Sequence, residues 1–512
     1  MASILIVGSG VAGTVLARQL LASDERHEVT ILEAGPGLEP TTYRRWLDYL
    51  MAGESPYDGF WEPPREEHER FGLRGSRLFV KGGTTNHWGG WSLRFKPEDF
   101  ELHARTGFGA DWPITYDELA PHYALAETLL GIEGDSDNDD PPRYGARFPF
   151  EAAPYTLNDM PVIGALDSLG MSYSHLPMAR NGSRCITTGT CRVCPVNARY
   201  TATFDLVDLQ RTYPERLELR TAAPAITIAM DGKRAARGVR FLDRASGETD
   251  LLEAERVAIC CGTVESTKLL LASANADWTE GIGNDSGHVG RHLIGHPLIY
   301  VEGIRPGNPE RAAQELEFIT LGSRHYDTPA HQREGKMLFV RAGGGSLAAI
   351  EQGILRNASR AEIERTMSSG IYLALEASVE QFESPENRVR LGGETAQPGL
   401  RATRLDFGVN AVTAAALQTH RENLLEVMRA AGCDANSIRA EFIKPDGAHA
   451  TSTCRMSASD SDGVVDRDLR VHGVENLFVC SNAVFPNVTA VNPTLTVAAL
   501  AVRLAETISR AA

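Results

Sequence analysis

Ile4, Leu5, Ile6 and Val7 run together without a polar break, the pattern of a short strand buried on both faces of a parallel sheet. Glycines interrupt the run, and Leu16 to Leu21 then continue as a helix. A second strand is predicted in "EVTILEAG" at 28–35. Further on, "LELRTAAPAITIAMDGKRAARGVRFLD" alternates apolar and polar residues around Asp231-Gly232, as a hairpin does. "RVAICCGTVESTKLLLASA" at 256–274 repeats the order strand, glycine turn at Gly262, helix. "VTAAALQTHRENLLEVMRAAG" reads as an amphipathic helix ended by Gly432. Two stretches show no sustained period: the acidic "EGDSDNDDPPRYG" at 133–145, and residues 301–370, which include Gly343 to Gly345. A long aperiodic stretch of that kind is expected to be a lid over a site or mobile surface.

The first turn has the G-x-G-x-x-G spacing at Gly8, Gly10 and Gly13. The first glycine permits a tight turn, the second lets backbone N–H groups approach a pyrophosphate, and the third allows close packing of helix on strand. Glu33 follows Gly13 by twenty residues, where a carboxylate accepts hydrogen bonds from an adenosine ribose. That selects a dinucleotide with a free 2′-hydroxyl. Because the strand, turn and helix pattern resumes at 256–274, the nucleotide-binding part is expected to be built from separated segments, with a second part inserted between them. Near the C-terminus, "GAHATSTCRM" carries His449, and "CSNAVFPNVTAVNPTLTVAALAVRLAE" carries Asn492 at the mouth of an apolar helix. A polar turn opening onto such a helix suggests a base beside a cofactor.

The chain has 512 residues, 42% of them hydrophobic, enough for a large core of two to four domains' worth of structure. Its formal charge of −16, with no basic tract, disfavours nucleic acid and anionic membranes as partners. No run reaches the roughly 20 apolar residues of a membrane span, and the first strand begins at once, leaving no room for a leader. A cytoplasmic location is therefore expected. Eight cysteines are sparse for this length, so reduced thiols are expected rather than a disulfide framework.

Five pieces together resemble the glucose–methanol–choline (GMC) oxidoreductase family: "GSGVAG" with Glu33, "GGTTNHWGG" at 82–90, "CCGTVESTKLLLAS", "GNDSGHVGRHLIGHP" at 283–297, and the two C-terminal segments. They occur in the family's order and span nearly the whole chain. The resemblance implies an α/β fold: a discontinuous Rossmann-like FAD-binding domain (1–109, 186–296 and 446–512), with an inserted substrate-binding domain on an antiparallel sheet (110–185 and 297–445). It implies FAD contacts from Gly8, Gly10, Gly13, Glu33, Gly82, Gly83, Asn86, His87, Gly262, Asn482, Pro493 and Thr494. Within the family, "NHWGG" and "CSN" with "NPTLT" are similar to pyranose 2-oxidase and bacterial C-glycoside 3-oxidases, whereas "WPITYDELAPHY" and "CPVNARYTATFD" look equally like the large subunit of bacterial sugar dehydrogenases. Ser481 departs from the acidic residue many relatives carry before the active-site turn, and Thr267 and Ala274 depart from the second signature.

Oxidising an alcohol requires a proton to leave oxygen and a hydride to leave carbon, the latter to flavin N5. The resemblance makes His449 the base, since a neutral imidazole suits that task near neutral pH. It matches Asn492 to the family's second polar residue, and an amide, unable to take the proton, would orient the substrate hydroxyl. A protonated His449 would also favour negative charge on dioxygen. In pyranose 2-oxidase the histidine matching His87 is bonded covalently to flavin, but Asn86 precedes it here, and non-covalent FAD is the favoured expectation. Cys185, Cys191 and Cys194 are spaced C-x5-C-x2-C, which could suit an iron–sulfur cluster. Arg184 stands where that group would carry another cysteine, so no metal is expected and a loop with reduced thiols or one local disulfide is favoured. The leading expectation is oxidation of a secondary ring hydroxyl, at C3 or C2, of a pyranose sugar or glycoside, with O2 as acceptor and H2O2 as product. The alternative is a sugar dehydrogenase subunit passing electrons to a quinone or cytochrome.

Overall fold

The computed structural model describes residues 2–510 apart from 53–54, 61–67, 188, 233, 313–317 and 396. Five parallel strands form one sheet in the order Leu477–Val479, Arg256–Ile259, Ala2–Val7, His27–Leu32, Leu217–Arg220. Ala2–Val7 lies at its centre, and Ile4, Leu5 and Ile6 are buried, which is why that run lacks alternation. Helix Val11–Ser23 leaves directly after the glycine turn and packs on the C-terminal helix Thr494–Arg510, which packs in turn on helix Tyr116–Leu130. Fully buried Leu495, Leu500 and Leu504 fill that junction, each contributing about 1.5–3 kcal/mol by leaving water. Tyr123 Oη and Thr496 Oγ1, 2.7 Å apart, close it with a polar tie.

A second, six-stranded sheet is antiparallel throughout, in the order Arg439–Ile443, Leu298–Arg305, Ile371–Val379, Met337–Arg341, Leu321–Tyr326, Ser174–His175. Side chains alternate across its pleat. Leu373, Leu375, Ala377 and Val379 therefore face one hydrophobic cluster, shared with Leu424, Val427 and Met428 of helix Ala411–Ala430, while Tyr372 and Ala374 belong to a different cluster on the other face. That predicted amphipathic helix ends as expected, with Gly432 at φ +81.

The structure corrects the reading of 301–370. Outside 313–317, which lie beyond the described residues, this segment supplies strands Leu298–Arg305, Leu321–Tyr326 and Met337–Arg341 and helices Gly345–Leu355 and Arg360–Ser369. Its periodicity is hidden because Met337–Arg341 is buried at every position, including charged Arg341, which Asp159 neutralises at 2.6 Å. A second correction concerns "LELR". The hairpin forms between Ala225–Met230 and Ala236–Leu242 across Asp231-Gly232, but Leu217–Arg220 joins the parallel sheet beside His27–Leu32. Four alternating residues do not by themselves distinguish the two sheets. The acidic stretch at 133–145 opens with a short strand, Glu133–Gly134, paired with Phe150–Glu151, and is otherwise irregular, anchored by buried Arg143, whose Nη2 bonds Glu127 at 2.7 Å. Among the described residues no helix is long and apolar enough to cross a membrane.

Candidate active site

Strands Ala2–Val7 and Arg256–Ile259 run side by side, so their carboxyl ends deliver Gly8 and Cys260-Cys261 to one crevice, the place where open parallel sheets bind ligands. A cavity of about 1220 Å³ begins there and reaches the antiparallel sheet. The three motif glycines divide the work. A Cβ on Gly8, at φ +104, would lie 2.7 Å from the Cys260 carbonyl oxygen, and one on Gly13 would lie 2.1 Å from that of Gly8. At Gly10 nothing lies within 4 Å, so the cavity has open access to the first N–H groups of helix Val11–Ser23, where the helix dipole favours phosphate.

Glu33 is buried on the cavity wall and accepts from Ser9 Oγ at 2.5 Å, Ser9 N at 3.2 Å and Gly35 N at 2.8 Å. Burial raises its carboxyl pKa, against the pull of those donors and of the Arg244 charge. Gly83 lines the cavity beside Gly10: a Cβ added to Gly83 would lie 3.4 Å from Gly10 Cα. Gly82 lies behind it, packed on Thr203. Asn86 does not line the cavity. Its Nδ2 donates to the Lys81 and Gly83 carbonyls at 2.9 Å and its Oδ1 accepts from Thr203 Oγ1 at 2.7 Å, which braces the turn. His87 does line the cavity, edge-on to Tyr57, and burial together with Arg192 and Arg199 pushes its pKa down to about 3. Gly262, Asn482 and Thr494 are on the wall, whereas Pro493 only starts the last helix, its carbonyl accepting from Val497 N at 3.1 Å.

His449 and Asn492, forty-three residues apart, meet on the same wall. Asn492 Nδ2 donates to His449 Nε2 at 3.1 Å. On its other side His449 Nδ1 lies 3.0 Å from Nδ1 of His296, whose Nε2 is 2.6 Å from the Thr489 carbonyl oxygen. A carbonyl only accepts, so His296 carries its proton on Nε2. Burial pushes the His296 pKa down to about 3, and the ring is neutral with a lone pair on Nδ1. His449 must then hold its own proton on Nδ1, which leaves Nε2 as a lone pair turned toward Asn492 and the cavity. Burial lowers the His449 pKa as well, and the Asp446 charge partly opposes this. His296 lies in the segment "GNDSGHVGRHLIGHP", and nothing local distinguishes it among the fourteen histidines of the chain. Its neighbours Gly295 and Pro297 give no sign that its ring turns toward a residue 153 positions away.

Ser481, the departure noted in sequence, lines the cavity and bonds Ser266 Oγ at 3.2 Å. All eight cysteines are free thiols. Backbone N–H groups of Thr187 and Ala198 donate to Cys185 and Cys194, and among the described residues no group of three His, Cys, Asp or Glu is placed to hold a metal.

The residues present fit FAD. The glycine cradle, the buried Glu33 carboxylate on the wall and the size of the cavity suit a dinucleotide. Asn482 Oδ1 and Asn492 Oδ1 are buried without a partner in the described structure, acceptors awaiting a donor. Gly8, Gly10, Glu33, Gly83, Gly262 and Asn482 would hold the group.

Two family models, each described as GMC oxidoreductase, match residues 152–298 and 384–501, together just over half of the chain. The chain is 27% identical to the fructose dehydrogenase large subunit of Gluconobacter japonicus, over 99% of this chain and 97% of that one. It is 26% identical to paromamine 6'-oxidase of Streptomyces fradiae, over 99% and 91%, and 25% identical to C-glycoside 3-oxidase of Microbacterium trichothecenolyticum, over 98% and 95%. With its parallel-sheet crevice, glycine cradle and paired His449 and Asn492, the chain belongs to the GMC oxidoreductase family and is an FAD-dependent oxidoreductase.

Proposed function

We propose that the protein oxidises a secondary ring hydroxyl, at C3 or C2, of a pyranose sugar or C- or O-glycoside to the ketone, with dioxygen as final acceptor. The observation that carries this reading is the pairing of His449 Nε2 with Asn492 Nδ2 on the wall of the cavity that also holds the glycine loop. A hydroxyl entering between them donates to Nε2 and accepts from Nδ2–H. His449 takes the hydroxyl proton, and Asn492 fixes the oxygen so that the C–H bond is presented in one direction. Bound FAD supplies the acceptor for the hydride. His296 holds the Nδ1–H tautomer throughout, and the Asp446 carboxylate favours the imidazolium that forms. That imidazolium in turn favours charge developing on dioxygen.

The same reading assigns 1–109, 186–296 and 446–512 to holding FAD and 110–185 and 297–445 to the substrate, places the enzyme in the cytoplasm, and leaves His87 packed against FAD without a covalent bond. Kinship to a C-glycoside 3-oxidase supports the ring position, and kinship to a paromamine 6'-oxidase supports a sugar-like substrate and oxidase chemistry but not that position. A second reading, a dehydrogenase subunit passing electrons to a quinone or cytochrome, is favoured by the full-length likeness to the fructose dehydrogenase large subunit.

Anaerobic mixing with glucose, xylose and aryl O- and C-glycosides tests both. Bleaching of the flavin followed by rapid recovery and peroxide on admitting air is expected. Bleaching without recovery would favour the dehydrogenase, and no bleaching by any sugar would reject the substrate class.

A further inference from the structure

The cavity wall away from the glycine loop includes one face of the antiparallel sheet, and Tyr300, Glu376 and Ser378 all line it. Glu376 lies at the centre, paired with Tyr300 on one adjoining strand and with Val340 on the other. Its polar neighbours are satisfied. Tyr300 Oη and Tyr372 Oη are 3.0 Å apart, Tyr372 donates to Glu302 at 2.8 Å, and Ser378 donates to the Ala490 carbonyl. No described residue donates a hydrogen bond to the Glu376 carboxylate, although it is half-buried.

A carboxylate drawn out of bulk water without a donor is destabilised. Burial accordingly raises its pKa, with Arg192 opposing and Asp446 reinforcing the shift. On the same face Ser378 bonds the Ala490 carbonyl, two residues before Asn492, and Glu376 lies about 7 Å along the strand from Ser378, beside a part of the substrate other than the reacting carbon.

We propose that Glu376 is a specificity-determining residue, accepting hydrogen bonds from donors on the substrate remote from the carbon being oxidised: vicinal hydroxyls or a protonated amine. This deepens the proposed function and rests on it for where the substrate sits.

Glu376→Gln in the holoenzyme tests it, because the amide keeps the shape and removes the charge. Sites built to hydrogen-bond a substrate group reject analogues lacking it strongly, so kcat/KM for the best sugar is expected to fall about 10²-fold, mainly through KM. The flavin spectrum should be unchanged, and Tm should not fall. A deoxy analogue lacking the contacted hydroxyl should lose as much in the wild type and little more in the variant. A methyl glucosaminide and methyl glucoside pair separates the two donors: a preference for the amine that E376Q abolishes identifies an ammonium, and equal losses identify hydroxyls. Kinetics within twofold of wild type for every substrate, or unaltered discrimination among deoxy analogues, would overturn the role. If no sugar bleaches the flavin, only the sugar assignment falls. Binding of 3-amino-1-propanol and of 1,3-propanediol, read from the flavin difference spectrum, then decides: a weaker amine complex in E376Q supports the role, and equal binding to both proteins overturns it.

Discussion

The Nδ1 atoms of His296 and His449 lie 3.0 Å apart with their rings 79° from coplanar, and the Thr489 carbonyl beyond fixes which of the two carries the shared proton. The tautomer of His449 is thus set by a neighbour whose own two ring nitrogens are both bonded to protein groups.

Replacing His296 by leucine should remove this control while keeping a side chain of similar bulk on the cavity wall. The rate of flavin reduction is expected to fall by about 10²-fold, on the scale of lost general-base catalysis, with KM little changed. Glutamine, whose amide can accept from His449 and donate to Thr489, should restore most of the rate. Stopped-flow reduction of the two variants makes the comparison; equal loss in both would reject the tautomer argument.

His449→Ala should lower flavin reduction by about 10²–10⁴-fold, and Asn492→Ala by less, since it orients but takes no proton. Both proteins should retain FAD, which absorbance after desalting will show.

The pH profile follows from the same site. Protonated His449 is inactive as a base, and burial lowers its pKa, so kcat/KM should hold as pH falls through about 6.5 and decline only below it. The Asp446 carboxylate raises that pKa. Asp446→Asn should therefore move the acid limb to still lower pH, and a shift the other way would contradict the assignment.

Glu380 is buried, and burial pushes its pKa up to about 8, while its Oε2 accepts from Lys336 N at 3.1 Å. The folded state binds a proton that the unfolded state releases above about pH 4.5. Stability from this group is present at low pH and is lost as pH rises toward 8, at up to about 1.4 kcal/mol per pH unit. Glu380→Gln should thus gain in Tm relative to wild type between pH 6 and pH 9, as scanning calorimetry will reveal.

Glu33→Ala leaves the Ser9 and Gly35 donors unpaired and removes the ribose acceptor. FAD affinity, measured by fluorescence of released flavin, should weaken at least tenfold, or by about 1.4 kcal/mol. Unchanged affinity would detach Glu33 from the cofactor.

The sequence by itself determined the cofactor half of this protein. The run Ile4 to Val7, the spacing of Gly8, Gly10 and Gly13, and the distance to Glu33 are local signals, because a buried strand, a tight turn and a helix start each constrain neighbouring residues. His449 and Asn492 stood out as polar turns, and the family resemblance supplied the roles expected of them. Tertiary structure alone decided what surrounds them. Residues 337–341 lack a period because every position is buried, and the four residues of 217–220 alternate as well for one sheet as for the other. His296 and Glu376 gain their importance from groups 153 positions away and across strand pairs, and such contacts leave no spacing to read. Asn86 and Pro493 sit in the expected segments, yet Asn86 braces a turn and Pro493 starts a helix instead of lining the cavity, since the direction of a side chain depends on how its segment is packed.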